Sequence, residues 1–165
     1  MEFRAATLDD LNHVLEMRIA YLAEINTKLT DKDTNALLNH LPDYYRRHMG
    51  KDFFAYIAFD EGKPVSTVYL LIVERPANLN FITGKSGILL NVYTMPDYRK
   101  RGIASVLLNM AIEEAKKLNV SHIELQATDM GIPVYEKLGF RHKQSQYTYM
   151  EYRFDKQGDA LGGKT

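Results

Sequence analysis

Gly87-Ile88-Leu89-Leu90-Asn91-Val92-Tyr93-Thr94-Met95, followed after Pro96-Asp97-Tyr98 by Arg99-Lys100-Arg101-Gly102-Ile103-Ala104, is the stretch that decides the fold. The first part is an apolar run that reads as a strand. After the second part, Ala104, Leu107, Leu108, Ala111, Ile112, Ala115 and Leu118 recur at helical spacing, which predicts an amphipathic helix over about 102–118. A strand, a basic turn with one glycine and a helix start together form an anion site. The first N–H groups of a helix have no partner within it, and its dipole is positive there. They suit phosphate oxygens. Gly102 lets the backbone approach a ligand closely, and Lys100 and Arg101 add positive charge. Neither G-x-x-x-x-G-K-[ST] nor G-x-G-x-x-G occurs, so the two commoner phosphate loops do not apply.

About thirty residues further on comes Val134-Tyr135-Glu136-Lys137-Leu138-Gly139-Phe140. Together the two segments resemble the GCN5-related N-acetyltransferases, the GNAT superfamily. The acetyl-CoA loop of that superfamily, [RQ]-x-x-G-x-[GA], is matched by Arg99, Gly102 and Ala104. Its downstream L-Y-x-K-x-G-F is matched by Tyr135, Lys137, Gly139 and Phe140, with Val134 in place of Leu. Either motif alone is weak; the pair, in this order and at this separation, is specific. The resemblance is clearest over residues 87–141.

Working outward, residues 2–6 read as a short strand. Thr7-Leu8-Asp9-Asp10 is a helix start, with Thr7 as N-cap, and the helix is expected to run to about Ile25. Leu11, Leu15, Leu22 and Ile25 share its apolar stripe with Arg18, which is expected to snorkel along the core edge or to pair with an acid, in preference to a substrate role. Thr30-Asp31-Lys32-Asp33 caps a second helix bearing Leu37, Leu38, Leu41, Tyr45 and His48, which Pro42 should kink or divide. Tyr44–His48 reads as the wet face of that helix in preference to a wall of an acceptor pocket. Strands are expected at 53–59 and 65–73, joined by a turn at Asp60-Glu61-Gly62-Lys63, then an irregular connection over 76–86. Another strand is expected at 120–127, a short helix capped by Thr128-Asp129 and stopped by Gly139, and two final strands at 140–143 and 146–154.

The fold class is therefore α/β (α+β): a three-layer α/β/α domain over residues 1–154 with a mixed, mostly antiparallel sheet. The resemblance implies that the strands at 87–95 and 120–127 splay apart at the acetyl-CoA site. Residues 155–165 have little to bury and are expected to be a disordered tail.

Composition narrows the function. Lys+Arg and Asp+Glu are 21 each, so the net charge is zero, unlike the basic excess of a nucleic-acid binder. There is no cysteine, which excludes disulfides, thiolate catalysis and Cys-based metal sites. With no apolar signal region at Met1-Glu2-Phe3-Arg4 and no apolar run of membrane-spanning length, a cytoplasmic protein without membrane partners is expected.

The resemblance implies acetyl transfer from acetyl-CoA, as donor substrate, to a primary amine of a small molecule or protein. The amine attacks directly, through a tetrahedral intermediate, and no metal is involved. Lys100, Arg101, Gly102, Ile103, Ala104 and Ser105 would cradle the pyrophosphate with their amides, Arg99 belonging to the same loop. The backbone of Val92, Tyr93 and Thr94 would pair with the pantetheine and acetyl group, one N–H polarising the thioester carbonyl. Tyr135 would donate a proton to the departing sulfur. The family often has Asn seven residues before this tyrosine and Ala three residues after that Asn; here Thr128 and Gly131 stand there. Thr128 still offers a hydroxyl to the cofactor or to the helix start.

The base is not evident. Some family members carry a glutamate on the strand matching 87–95, whereas this chain has Asn91 and Tyr93, expected to line the acceptor side. Glu24, Glu124, Glu151 and a water chain are the candidates. The acceptor could be a polyamine, an amino acid, an aminoglycoside-like compound or a protein amine. A catalytically silent acyl-CoA-binding regulatory module is the alternative function. The C-terminal strands would support a homodimer, though no residue requires one.

Overall fold

The computed structural model describes residues 1–26, 28–79, 81–144, 147–152 and 154. Five strands, β1 (Glu2–Ala5), β2 (Phe53–Asp60), β3 (Lys63–Glu74), β4 (Lys85–Thr94) and β5 (Ile123–Glu124), form one sheet in chain order. β1 to β4 pair antiparallel, and β5 joins β4 in parallel. Helices α1 (Leu11–Ile25) and α2 (Asp31–His48) lie on one face, α3 (Ile103–Lys117) and α4 (Ile132–Lys137) on the other. The expected mixed sheet and its three layers are thus present.

Alternation along β2 explains the layers. Ala55, Ile57 and Phe59 bury against α1 and α2, while Tyr56 and Ala58 bury against α3. On the α1 side, Phe53, Tyr69 and Tyr45 form a cluster of rings with centroids 5.2–6.3 Å apart. Each such ring pair adds about 1 kcal/mol beyond burial. Tyr45 is therefore core and not part of a wet face, although Arg46 and Arg47 beside it are exposed. Pro42 leaves α2 undivided over its 18 residues.

The entry to α1 is tied to the sheet. Thr7 and Asp10 cap one 3-10 turn (Leu8–Asp10) that leads into the helix, so the α-helix proper begins later than Thr7 suggests. Arg4 on β1 grips the buried Asp10 carboxylate through two bonds of 2.6 and 2.7 Å, which holds that carboxyl at a pKa of about 2. The contact face of α1 is rotated from the expected stripe: Val14, Leu15 and Met17 are buried, whereas Ile25 is 54% exposed. Apolar residues surround this helix almost completely, so periodicity alone did not select the face.

Two C-terminal expectations fail. β5 covers Ile123–Glu124 and not 120–127, because its pairing with β4 stops at Ile88↔Glu124. Among the described residues of 140–154 there is no strand, and Tyr149 and Met150 are 88% and 92% exposed. Their β-propensity is unmatched by a face on which to bury. Residues 145, 146, 153 and the expected tail at 155–165 lie outside the described residues. The connection over 76–86 is better ordered than expected: Arg75 donates its N–H to Gly84 O (2.8 Å), bonds Ser86 Oγ and lies over the Phe81 ring. Among the described residues no helix is long and apolar enough to cross a membrane.

Candidate active site

The site begins with a bulge in β4. Tyr69 pairs with Leu90 and Thr67 with Tyr93, so two steps on β3 face three on β4. The extra residue is Asn91, at φ +48°, a left-handed conformation that Asn tolerates better than most side chains. Regular alternation would put Leu89, Asn91 and Tyr93 on one face. Instead Leu89 and Val92 pack into the α3 core, while Asn91 bonds to α1 and Tyr93 contacts it. The bulge thus turns Asn91 and Tyr93 towards α1.

Beyond Ile88, the edge of β4 that faced β5 has no strand beside it among the described residues. This is the expected splay, and Val92, Tyr93 and Thr94 lie along the open length.

Past the end of β4, Lys100 (φ +61°) and Gly102 (φ +77°) turn the chain into α3. The N–H groups of Lys100, Arg101, Gly102, Ile103 and Ala104 find no acceptor among the described residues, whereas Ser105 donates to Gly102 O (3.1 Å). This run of free donors at the start of a 15-residue helix fits a pyrophosphate. A Cβ on Gly102 would meet nothing within 4 Å, so its backbone angle, not crowding, is what calls for glycine. The Arg99 guanidinium is engaged elsewhere: it bonds Thr94 O (2.9 Å), pairs with Glu24 (2.5 Å) and lies 5.8 Å from the centre of the Tyr93 ring. Arg101 bonds Asp97 O and lies over Tyr98.

On α4, Tyr135 is 8% exposed, and burial, reinforced by nearby Tyr21, raises its hydroxyl to about 12. A Cβ at Gly131 would come within 2.9 Å of the Tyr135 ring, which explains glycine there. Thr128 is exposed and serves the helix start through its carbonyl, which accepts from Gly131 and Ile132; the N-cap is Gly131 and no side chain caps it, contrary to expectation. Pro133 occupies the first turn, where its missing N–H does no harm.

α1 closes the site with residues the sequence left in the background. Tyr21 stands edge-on to Tyr93 (6.2 Å). Tyr93 is itself raised by burial and Glu24, against Arg99. Arg18 donates to Asn91 Oδ1 (3.2 Å), and the Asn91 amide donates to Thr67 Oγ1 (3.0 Å). Asn91 is 3% exposed, so its side chain positions Arg18 and does not itself line an open surface. Arg18, Tyr21 and Glu24 are three residues apart on one edge of the helix, the signal by which the trio could have been found. Of the candidate bases, Glu24 adjoins Tyr93 but is held by Arg99. Glu124 pairs opposite Ile88, five positions back along β4, and bonds Lys143 (3.2 Å). Glu151 is exposed in the C-terminal segment.

The profile of the acetyltransferase (GNAT) family matches residues 21–140. The chain belongs to this family. Among solved structures it resembles a GCN5-related N-acetyltransferase from Ralstonia eutropha JMP134, with 26% identity and a TM-score of 0.74 over 90% of this chain and 97% of that one. A predicted acetyltransferase from Clostridium acetobutylicum, solved with acetyl-CoA, matches at 25% identity and TM-score 0.70 over 91% and 95% of the two chains. The aminoglycoside 6'-N-acetyltransferase AAC(6')-IG of Acinetobacter haemolyticus shares the fold at 20% identity and TM-score 0.67, covering 94% of this chain and all (100%) of that one. No curated protein matches the chain. GNAT membership implies acetyl transfer from acetyl-CoA, and the free donors of the α3 loop and the open edge of β4 suit that donor.

Proposed function

We propose that this GNAT domain, residues 1–154, is a cytoplasmic N-acetyltransferase that moves the acetyl group of acetyl-CoA to a primary amine. The observation that carries the reading is the run of free N–H groups from Lys100 to Ala104 beside the open edge of β4, with buried Tyr135 on the same side of the sheet as α3.

In this reading the loop amides hold the pyrophosphate, and the backbone of Val92–Thr94 receives the pantetheine arm and polarises the thioester carbonyl. An ammonium of pKa ~10.4 loses one proton to water or to a carboxylate before it attacks. The C–N bond then forms, the C–S bond breaks and the nitrogen loses a second proton. One proton returns to sulfur, so the balance is amide, CoA thiol and one proton released. Tyr135 with its hydroxyl at about 12 keeps its proton across the neutral range. The departing thiolate, near ~8.5, is the weaker base, so full transfer from Tyr135 is uphill. Its part is to donate a hydrogen bond to the developing charge on sulfur.

The test is thiol release from acetyl-CoA over a panel of amines, with Tyr135→Phe alongside. The reading expects release with one amine class and a ~100-fold lower kcat in the variant. It also expects no alkaline limb from Tyr135 below about pH 10, because raising this pKa keeps the donor form present. Acetyl-CoA binding without release from any amine would instead favour the silent regulatory module.

A further inference from the structure

Three described arginines are half-buried: Arg4, Arg18 and Arg99. Arg4 is neutralised by Asp10 and Arg99 by Glu24. Arg18 has no carboxylate within 4 Å among the described residues; its one hydrogen bond goes to the neutral Asn91 amide, and its guanidinium lies 5.7 Å from the centre of the Tyr21 ring. The other groups that feel its charge, the hydroxyls of Tyr45 and Tyr69, are buried and held neutral by that burial.

A half-buried guanidinium gains from an anion that replaces its lost water. This one is not left to chance. The β4 bulge places Asn91 against it, and Asn91 is itself anchored on Thr67. The Asn91 bond engages one Nη, so the rest of the planar fork keeps its donors. Arg18 is one helical turn from Tyr21, whose ring meets Tyr93 and whose hydroxyl acts on Tyr135. The unneutralised charge therefore adjoins, through Asn91 and Tyr21, the Tyr93 patch of the proposed acceptor side.

We propose that Arg18 binds a carboxylate of the acceptor, so that the enzyme acetylates an amine that also carries a carboxylate, an amino acid or a short peptide. This rests on the amine-acetyltransferase reading above. A carboxylate is favoured over a phosphate because its single charge matches Arg18 alone among the described half-buried arginines, the neighbouring Arg99 being already paired with Glu24. The planar fork also matches a carboxylate in two parallel bonds.

The experiment measures thiol release with matched pairs: amino acids and dipeptides against their C-terminal amides, and hexosamine phosphates against hexosamines. The expected result is a kcat/KM that falls about 10- to 100-fold on amidation, as for loss of a charge-assisted bond. In Arg18→Gln that ratio collapses towards one, chiefly through KM, and in Arg18→Lys it is partly restored. Acetyl-CoA affinity by calorimetry, unchanged in Arg18→Gln, confirms a folded site. Equal use of acids and amides, a preference for the phosphates, or an Arg18→Gln that lowers both members of each pair alike would overturn the proposal. If no amine releases thiol although acetyl-CoA binds, the acetyltransferase reading fails. The carboxylate site is then judged by titrating the same amino acids into the protein–CoA complex: binding lost in Arg18→Gln supports it, and no binding overturns it.

Discussion

On the α3 side of β4 the protein presents backbone; on the α1 side it presents side chains. The loop from Arg99 to Ala104 offers a run of N–H groups, and of its three basic side chains Arg99 and Arg101 are occupied with Glu24 and with Asp97 O. The wall opposite is made of Arg18, Tyr21 and Tyr93, with buried Asn91 behind it holding Arg18, and these contacts join α1 to β4. A backbone site needs only a local conformation, so it is written in a few consecutive residues. A side-chain site needs a register and a helix rotation, which are set at a distance. The donor half of such a domain should therefore tolerate change around it and be fragile within it, while the acceptor half should do the reverse.

The sharpest way to break this contrast is Gly102→Val. With φ at +77°, a β-branched residue is strained wherever space exists, and space does exist here. The loop should either carry about 3 kcal/mol of strain or turn its N–H groups away. Acetyl-CoA affinity by calorimetry should fall ~100-fold, with Gly102→Ala intermediate, while amine KM at saturating donor stays unchanged. Wild-type affinity in the valine variant would mean that the left-handed turn is not what holds the loop.

A second test weakens the acceptor half alone. Asp10 anchors the start of α1 to β1 through Arg4, and its carboxyl sits at about 2, below the usual 3.8. Because the folded value is depressed, the stabilisation is fully present above 3.8 and is lost as pH falls towards 2. The contribution is roughly 2 kcal/mol. In Asp10→Asn the neutral-pH stability should drop by about this amount, and the dependence of melting temperature between pH 4 and 2 should flatten relative to wild type. An equally steep acid limb in the variant would place the acid-sensitive group elsewhere.

These differences also explain what the sequence could disclose. The strand at 87–95, the glycine turn, the α3 face and the motif around Tyr135 were legible because each depends on neighbours in the chain. The three layers followed from alternation in β2. The Asn91 bulge was not legible: in sequence Leu90-Asn91-Val92 is an unremarkable stretch of strand, and only its mismatch with Thr67–Tyr69 creates the extra residue. With the bulge hidden, Asn91 was expected to line the acceptor side with Tyr93, whereas it is buried behind Arg18, and a substrate role for Arg18 ranked below snorkelling or pairing with an acid. The final strands were over-read because β-propensity in Tyr147–Phe154 is visible, whereas a partner for it is not.

Asn91 itself separates backbone from side chain on the acceptor half, and its effect should be the smallest. Asn91→Gly keeps the left-handed angle but removes the bonds to Thr67 and Arg18, a loss of about 1 kcal/mol. Asn91→Ala removes the same bonds and adds roughly 1 kcal/mol for a Cβ at φ +48°. Denaturant melts should therefore rank wild type above glycine and glycine above alanine, the reverse of the usual strand preference. Acetyl-CoA affinity should stay unchanged in the glycine variant while amine KM rises, because a loosened Arg18 is a loss to the acceptor and not to the donor. Alanine matching or exceeding glycine in stability would show that β4 closes its bulge when the side chain is removed. The register, and not Asn91, would then be what turns Tyr93 towards α1.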